Sequence, residues 1–176
     1  MDEKTLYSQT VYDGQLIKVR VDTVRTNSGT ATREIVEHNP AVAVIALDKG
    51  DFIMVRQYRK SVEQELIEIV AGGIDHDEIP QVAAQRELRE ETGFRAGKIT
   101  KLGAFYLSPG YCSEYIHLFL AEELVADKTW AEDTYEITPV RFSAKTISEM
   151  IAAGQIKDGK TLAAFTLYQA YLKLRR

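Results

Sequence analysis

Between Leu16 and Asp22 apolar and polar residues alternate, the period-two signature of a strand with one buried face. Thr26-Asn27-Ser28-Gly29-Thr30 is turn chemistry and Arg33–Glu37 resumes the alternation, so a hairpin is expected within a β-rich first forty residues. Ala41 to Leu47 is almost continuously apolar, as for a strand buried on both faces. Lys49-Gly50-Asp51 turns it into a second strand over Phe52–Tyr58, and a short strand follows over Glu65–Val70, ending at Ala71-Gly72-Gly73. The period then changes. Pro80 suits a first helical turn, Val82, Ala83, Ala84 and Leu88 form an apolar stripe, and Gly93 supplies a stop, predicting a helix over Ile79–Thr92. Strands are expected near 97–107, 115–122 and 135–142, with Ser108-Pro109-Gly110 breaking the first two. The end reads as helices over 143–152 and 161–174, the last with Leu162, Phe165, Tyr168 and Leu172 on one face. A mixed sheet with few helices implies an α+β or α/β sandwich.

The 176 residues are 45% hydrophobic and 27% charged, which excludes a long disordered chain. With 22 Lys+Arg against 26 Asp+Glu the net charge is -4, and no basic stripe is present, so a general nucleic-acid binder is not expected. A single cysteine, Cys112, excludes an intramolecular disulfide and a Cys-based zinc cluster. The start lacks a basic head followed by an apolar core, and no run reaches the ~20 apolar residues of a membrane span. The expected compartment is a reducing cytoplasm.

The chemistry concentrates between Gly72 and Phe94. Glu87, Glu90 and Glu91 fall at i, i+3 and i+4, on one helix face. Neighbouring like charges destabilise a helix, and a hard divalent cation, Mg²⁺ or Mn²⁺, removes that cost by binding carboxylate oxygens. Arg86 is placed to pair with one of them and hold its orientation. Taken alone, an Arg/Glu-rich helix is ordinarily a solvated face. Here the carboxylates sit inside a longer pattern: Gly72, Glu78, Arg86, Glu87, Leu88, Glu90, Glu91, Gly93 and Phe94.

That pattern resembles the Nudix box. The Nudix hydrolases cleave a diphosphate linked to another moiety, and the resemblance implies an α/β/α sandwich with a loop-helix-loop that holds divalent metal. It also implies Glu87 and Glu91 as direct metal ligands, the backbone carbonyl of Ala71 as a further ligand, and Glu90 as an additional carboxylate. Val55-Arg56-Gln57-Tyr58-Arg59, Glu68-Ile69-Val70-Ala71-Gly72, Ser108-Pro109-Gly110 and Asp158-Gly159-Lys160-Thr161 resemble the ADP-ribose pyrophosphatase subgroup and its nucleotide-sugar relatives. Pro109, sixteen residues after Gly93, matches the subgroup's marker; Val70 stands where many members have Pro.

The expected reaction is attack of water on one phosphorus of a nucleoside diphosphate sugar, ADP-ribose first, giving a nucleoside monophosphate and a sugar phosphate. GDP-mannose or another nucleotide sugar is the alternative, because Gly154–Thr161 resembles that branch too. A non-catalytic nucleotide-sugar binder is the alternative of another class, although a pure binder gains nothing from three clustered repelling charges. Arg33 and Arg59 are candidate phosphate contacts, since a guanidinium fork matches phosphate oxygens, and Glu114 is a candidate acceptor from a ribose. The subgroup supplies a late Glu from an acidic loop. Here Asp133 takes that position, so Asp133 and Glu136, with Glu132 beside them, compete for the role of base. The resemblance further implies a homodimer in which the N-terminal β segment, residues 1–40, contributes to the partner's site, with the hydrolase domain spanning 41–176.

Overall fold

The computed structural model describes residues 3–127 and 137–175. Contacts divide it into two compact units, one made of the described residues up to Pro40 with Tyr106–Tyr115, the other of Ala41–Phe105 with the described residues from Ile116 on.

In the first unit β1 (Lys4–Asp13), β2 (Lys18–Thr26) and β3 (Gly29–Glu37) form an antiparallel sheet with β2 central. The hairpin turns at Gly29, whose φ of 132° an L side chain rarely adopts. Every residue of β1 is exposed, which explains why its sequence shows no sustained alternation. The loop around Pro109 is fastened to the end of β3: Val36 N donates to the Tyr111 carbonyl (2.8 Å) and Ser113 N to the Val36 carbonyl (2.9 Å).

The second unit is an α/β/α sandwich. Its strands are β4 (Ala41–Asp48), β5 (Asp51–Arg59), β6 (Gln64–Glu68), β7 (Val70–Gly73), β8 (Phe94–Tyr106), β9 (Tyr115–Ala126) and β10 (Ile137–Ser143). The order is β10-β5-β4-β9-β8, with β6 on β5 and β7 on β4; β4 and β9 are parallel, making the sheet mixed. The apolar run of β4 serves two cores. Ala41, Ala43 and Ile45 pack with Ile147, Phe165 and Tyr168 of α2 (Ala144–Ala152) and α3 (Gly159–Lys173). Val42, Val44 and Ala46 pack with Ala83, Ala84 and Leu88 of α1 (Pro80–Thr92). Alternate side chains leave opposite faces of a strand, so an uninterrupted apolar run requires helices on both sides. Phe52 belongs to the first of these cores, edge-on to both Phe165 and Tyr168.

Several expectations need adjustment. The single strand over 65–70 is two, because Ile69 N leaves the ladder and donates to Thr161 Oγ1 (3.0 Å). Helix α3 begins earlier than 161: Asp158 is its N-cap and accepts from Thr161 N (3.0 Å). Leu172 and Val82 are exposed, while Thr161 and Glu91 take buried positions on their helices. Helix α1 starts at Pro80 without a side-chain cap and ends as expected, Gly93 adopting the left-handed conformation (φ 71°) and donating its N–H to Arg89. No helix among the described residues is long and apolar enough to cross a membrane.

Candidate active site

Helix α1 lies against β7, and that packing brings the acidic face of the helix to the strand's glycines. A Cβ placed on Gly72 would sit 2.1–2.4 Å from the Glu87 carboxylate, so only a residue without one lets this carboxylate close on the backbone. Glu91 is 7% exposed and accepts a hydrogen bond from Ala71 N at 3.3 Å. Burial first, and the charge of Glu87 second, push the Glu91 carboxyl up to about 8; the Ala71 N–H and the charges of Lys160 and Arg59 act the other way. Burial also raises Glu87, against a hydrogen bond from Arg86, with the charges of Glu90 and Glu78 adding to the rise.

Arg86 is the counterweight. Its Nε and Nη2 donate to Glu78 (3.1 and 2.9 Å), its Nη1 to Glu87 (2.6 Å) and Glu90 (3.3 Å), and its Nη2 also to the Gly73 carbonyl (2.9 Å). One guanidinium therefore gathers three carboxylates, Glu78 of the loop before α1 with Glu87 and Glu90 of the helix, more than the single pairing expected. The hydrogen bond from Arg86 holds Glu78 below the usual carboxylate range. Among the described residues no group of three Asp, Glu, His or Cys side chains stands ready to hold a metal, and Glu87 and Glu90 spend oxygens on Arg86. The donor set nevertheless fits a hard divalent cation: all ligand candidates are oxygens, and burial raises two of the carboxylates, the buried Glu91 and the half-buried Glu87, whose ionised forms need a compensating charge.

The structure brings Ala71, Glu87, Glu90 and Glu91 together on α1 and β7. Arg59, at the end of β5, is close enough for its charge to act on Glu91, but two of its nitrogens are spent on Glu68: Nε at 2.7 Å and Nη2 at 2.6 Å. Glu68, 1% exposed, also accepts from Lys160; nothing in the local sequence around either residue marks them as part of the site. Arg33 and Glu114 lie in the first unit. The Arg33 side chain donates to Glu3 (Nε at 2.9 Å) and lines a cavity of about 530 Å³ with Tyr106, Pro109 and Tyr111; the Glu114 carbonyl accepts from Leu107 N. Glu132, Asp133 and Glu136 lie outside the described residues.

The model of the family described as "NUDIX domain" matches residues 37–165. The chain is 38% identical over 173 residues to an ADP-ribose pyrophosphatase of Bacillus subtilis (strain 168), covering 96% of this chain and 94% of that protein. It is 37% identical over 173 residues to a methanol dehydrogenase activator of Bacillus methanolicus, covering 96% and 93%. A GDP-mannose pyrophosphatase of Escherichia coli O1:K1 / APEC is 30% identical over 176 residues, covering 93% and 84%. Among solved structures, an ADP compounds hydrolase superposes with a TM-score of 0.90 at 23% identity, covering 99% of this chain and 96% of that one, which shows the shared fold.

Proposed function

The chain belongs to the NUDIX domain family of hydrolases, and from that premise we propose that it cleaves the pyrophosphate of a nucleoside diphosphate sugar, ADP-ribose first. The observation that carries this reading is the pair of carboxylates Glu87, half-buried and closed on Gly72, and Glu91, buried against Ala71, where ionisation is costly without a cation. The similarity to an ADP-ribose pyrophosphatase over nearly the full chain supports the substrate class. GDP-mannose is the second reading, favoured by the likeness to a GDP-mannose pyrophosphatase.

In this reading Glu87, Glu91 and the Ala71 carbonyl hold Mg²⁺ or Mn²⁺, with Glu90 as an additional carboxylate. When bound there, the cation supplies charge neutralisation and Lewis acidity for pyrophosphate cleavage. Arg86 holds Glu87 and Glu90 in register with the loop that carries Glu78. Asp133, with Glu136 next, accepts the proton of the attacking water. Arg33 and Arg59 contact phosphate oxygens and Glu114 a ribose hydroxyl. The protein works as a cytoplasmic homodimer whose N-terminal segment, residues 1–40, seats on a second copy; the fully exposed β1 with Leu6, Tyr7, Val11 and Tyr12 at its surface supports this.

The test is a panel of ADP-ribose, GDP-mannose and other nucleotide sugars, read by phosphatase-coupled phosphate release. Turnover is expected with Mg²⁺ or Mn²⁺ and none in EDTA. Full activity in chelator, or no turnover of any nucleotide sugar, would sink the proposal.

A further inference from the structure

The segment Asp158-Gly159-Lys160-Thr161 has a residue-by-residue explanation in the structure. Asp158 caps α3 through Thr161 N and also accepts from Thr161 Oγ1 (2.6 Å). Thr161 Oγ1 in turn receives Ile69 N, locking the helix start to the break between β6 and β7. Lys160 is thereby directed inward. Its side chain is 11% exposed and its Nζ bridges Asp158 (3.1 Å) and Glu68. Glu68 grips Arg59 with both oxygens, Oε1 on Nε and Oε2 on Nη2, while Nη1 makes no hydrogen bond among the described residues. The Arg59 side chain is 38% exposed, against 1% for Glu68.

A lone carboxylate facing a long, half-exposed arginine has freedom to swing. Here the ammonium group on Oε2 removes that freedom from the carboxylate side. Burial, the largest single influence on Glu68, pushes its carboxyl up, but the Arg59 hydrogen bond and the Lys160 charge outweigh it and keep the group below the usual range. The charges of Arg59 and Lys160 both reach the Glu91 carboxylate, so the network borders the catalytic carboxylates.

We infer that Lys160 and Glu68 are positioning residues: they fix the Arg59 guanidinium with its free Nη1 edge presented to a phosphate oxygen of the substrate. The inference rests on the nucleotide-sugar hydrolase reading and deepens it, assigning substrate affinity to a residue that need not itself touch substrate. A contact held equally in the ground state and transition state changes KM and leaves kcat nearly alone. A merely structural ion pair would change stability without that split.

The experiment compares Lys160→Met and Lys160→Arg with the wild type, using ADP-ribose and GDP-mannose at saturating Mg²⁺. Should Lys160→Met fail to fold, Glu68→Gln, which keeps the side-chain shape but removes the charge gripped by Arg59 and Lys160, carries the same test. KM is expected to rise at least ~10-fold in the Met variant with kcat reduced less than ~3-fold, and arginine should restore KM. Separately, modification of Arg59 by phenylglyoxal, followed by mass spectrometry in the absence of substrate, should be faster in the Met variant than in the wild type. Unchanged KM, or a fall in kcat alone, overturns the inference while leaving the hydrolase reading intact. If the wild type turns over no nucleotide sugar, the substrate role of Arg59 falls with that reading. The modification rate then decides the remaining point, whether Lys160 fixes Arg59, and equal rates overturn that as well.

Discussion

Replacing Glu91 by Gln should stabilise the protein in chelator at alkaline pH while removing its activity. The carboxyl is raised from 4.5 to about 8, first by burial and then by the Glu87 charge. Taking 4.5 as the unfolded value, the folded chain retains a proton that the unfolded chain has released between those limits. Stability is thus fully present below pH 4.5 and is lost as the pH rises through 8. At 1.36 kcal/mol per unit the elevation corresponds to ~5 kcal/mol, a large part of an ordinary domain's stability of about 5–15 kcal/mol. Glutamine has no charge to bury, and its carbonyl oxygen can still accept from Ala71 N. The assay is urea unfolding in EDTA at pH 5, 7 and 9, followed by circular dichroism. The wild type should lose several kcal/mol across that range more than Glu91→Gln does, and comparing the two cancels the titration of the histidines. Adding Mg²⁺ at pH 9 should restore the wild type and leave the variant unmoved. Parallel pH profiles in EDTA would refute the reasoning, because Glu91 would then ionise freely in the folded chain.

The same variant should lose at least ~10²-fold in kcat, as for a group that stabilises transition-state charge; near-normal turnover would remove Glu91 from the ligand set. Gly72→Ala should fold, because the nearest atoms its Cβ meets are the carboxylate end of the Glu87 side chain rather than backbone, yet displace that carboxylate, so activity should require more Mg²⁺ in a titration. Asn or Gln at Glu132, Asp133 and Glu136 singly should give one variant slowed ~10²–10⁴-fold, Asp133 first; three mild effects would move the base elsewhere. Gly93→Ala places a side chain at φ 71° and should cost ~1 kcal/mol in denaturant unfolding without altering KM.

The features the sequence announced are those with a local cause. The run Ala41–Leu47 declares a strand buried on two faces, Pro80 and Gly93 bracket α1, and the spacing of Glu87, Glu90 and Glu91 puts three carboxylates together. What stayed hidden depends on distant partners. Nothing near Glu68 reveals that Lys160 will reach it, and the break at Ile69 requires the hydroxyl of Thr161. Arg86 was legible as a carboxylate partner, but its hold on Glu78 needs the loop to fold back. Helical spacing puts Val82 and Leu172 on the apolar stripes, yet both are exposed, while Glu91 and Thr161 of the same helices are buried by partners distant in sequence.

The parallel pairing of β4 with β9 bears on how the chain emerges from the ribosome. One edge of β4 is satisfied early, by β5 and β7, which follow it closely. The other edge waits for β9: Ala41 pairs with Ile116 and Ala46 with Ala121, so most of the polypeptide must be made before that edge closes. Until then a nascent chain carries an apolar strand with unpaired N–H and C=O groups, the template on which neighbouring chains join. Non-local pairings of this kind also slow folding. Yield in a cell should therefore depend on chaperone capacity and synthesis rate more than the equilibrium stability of the finished protein suggests, and the residues flanking Ala41–Leu47 are where substitutions would alter that yield.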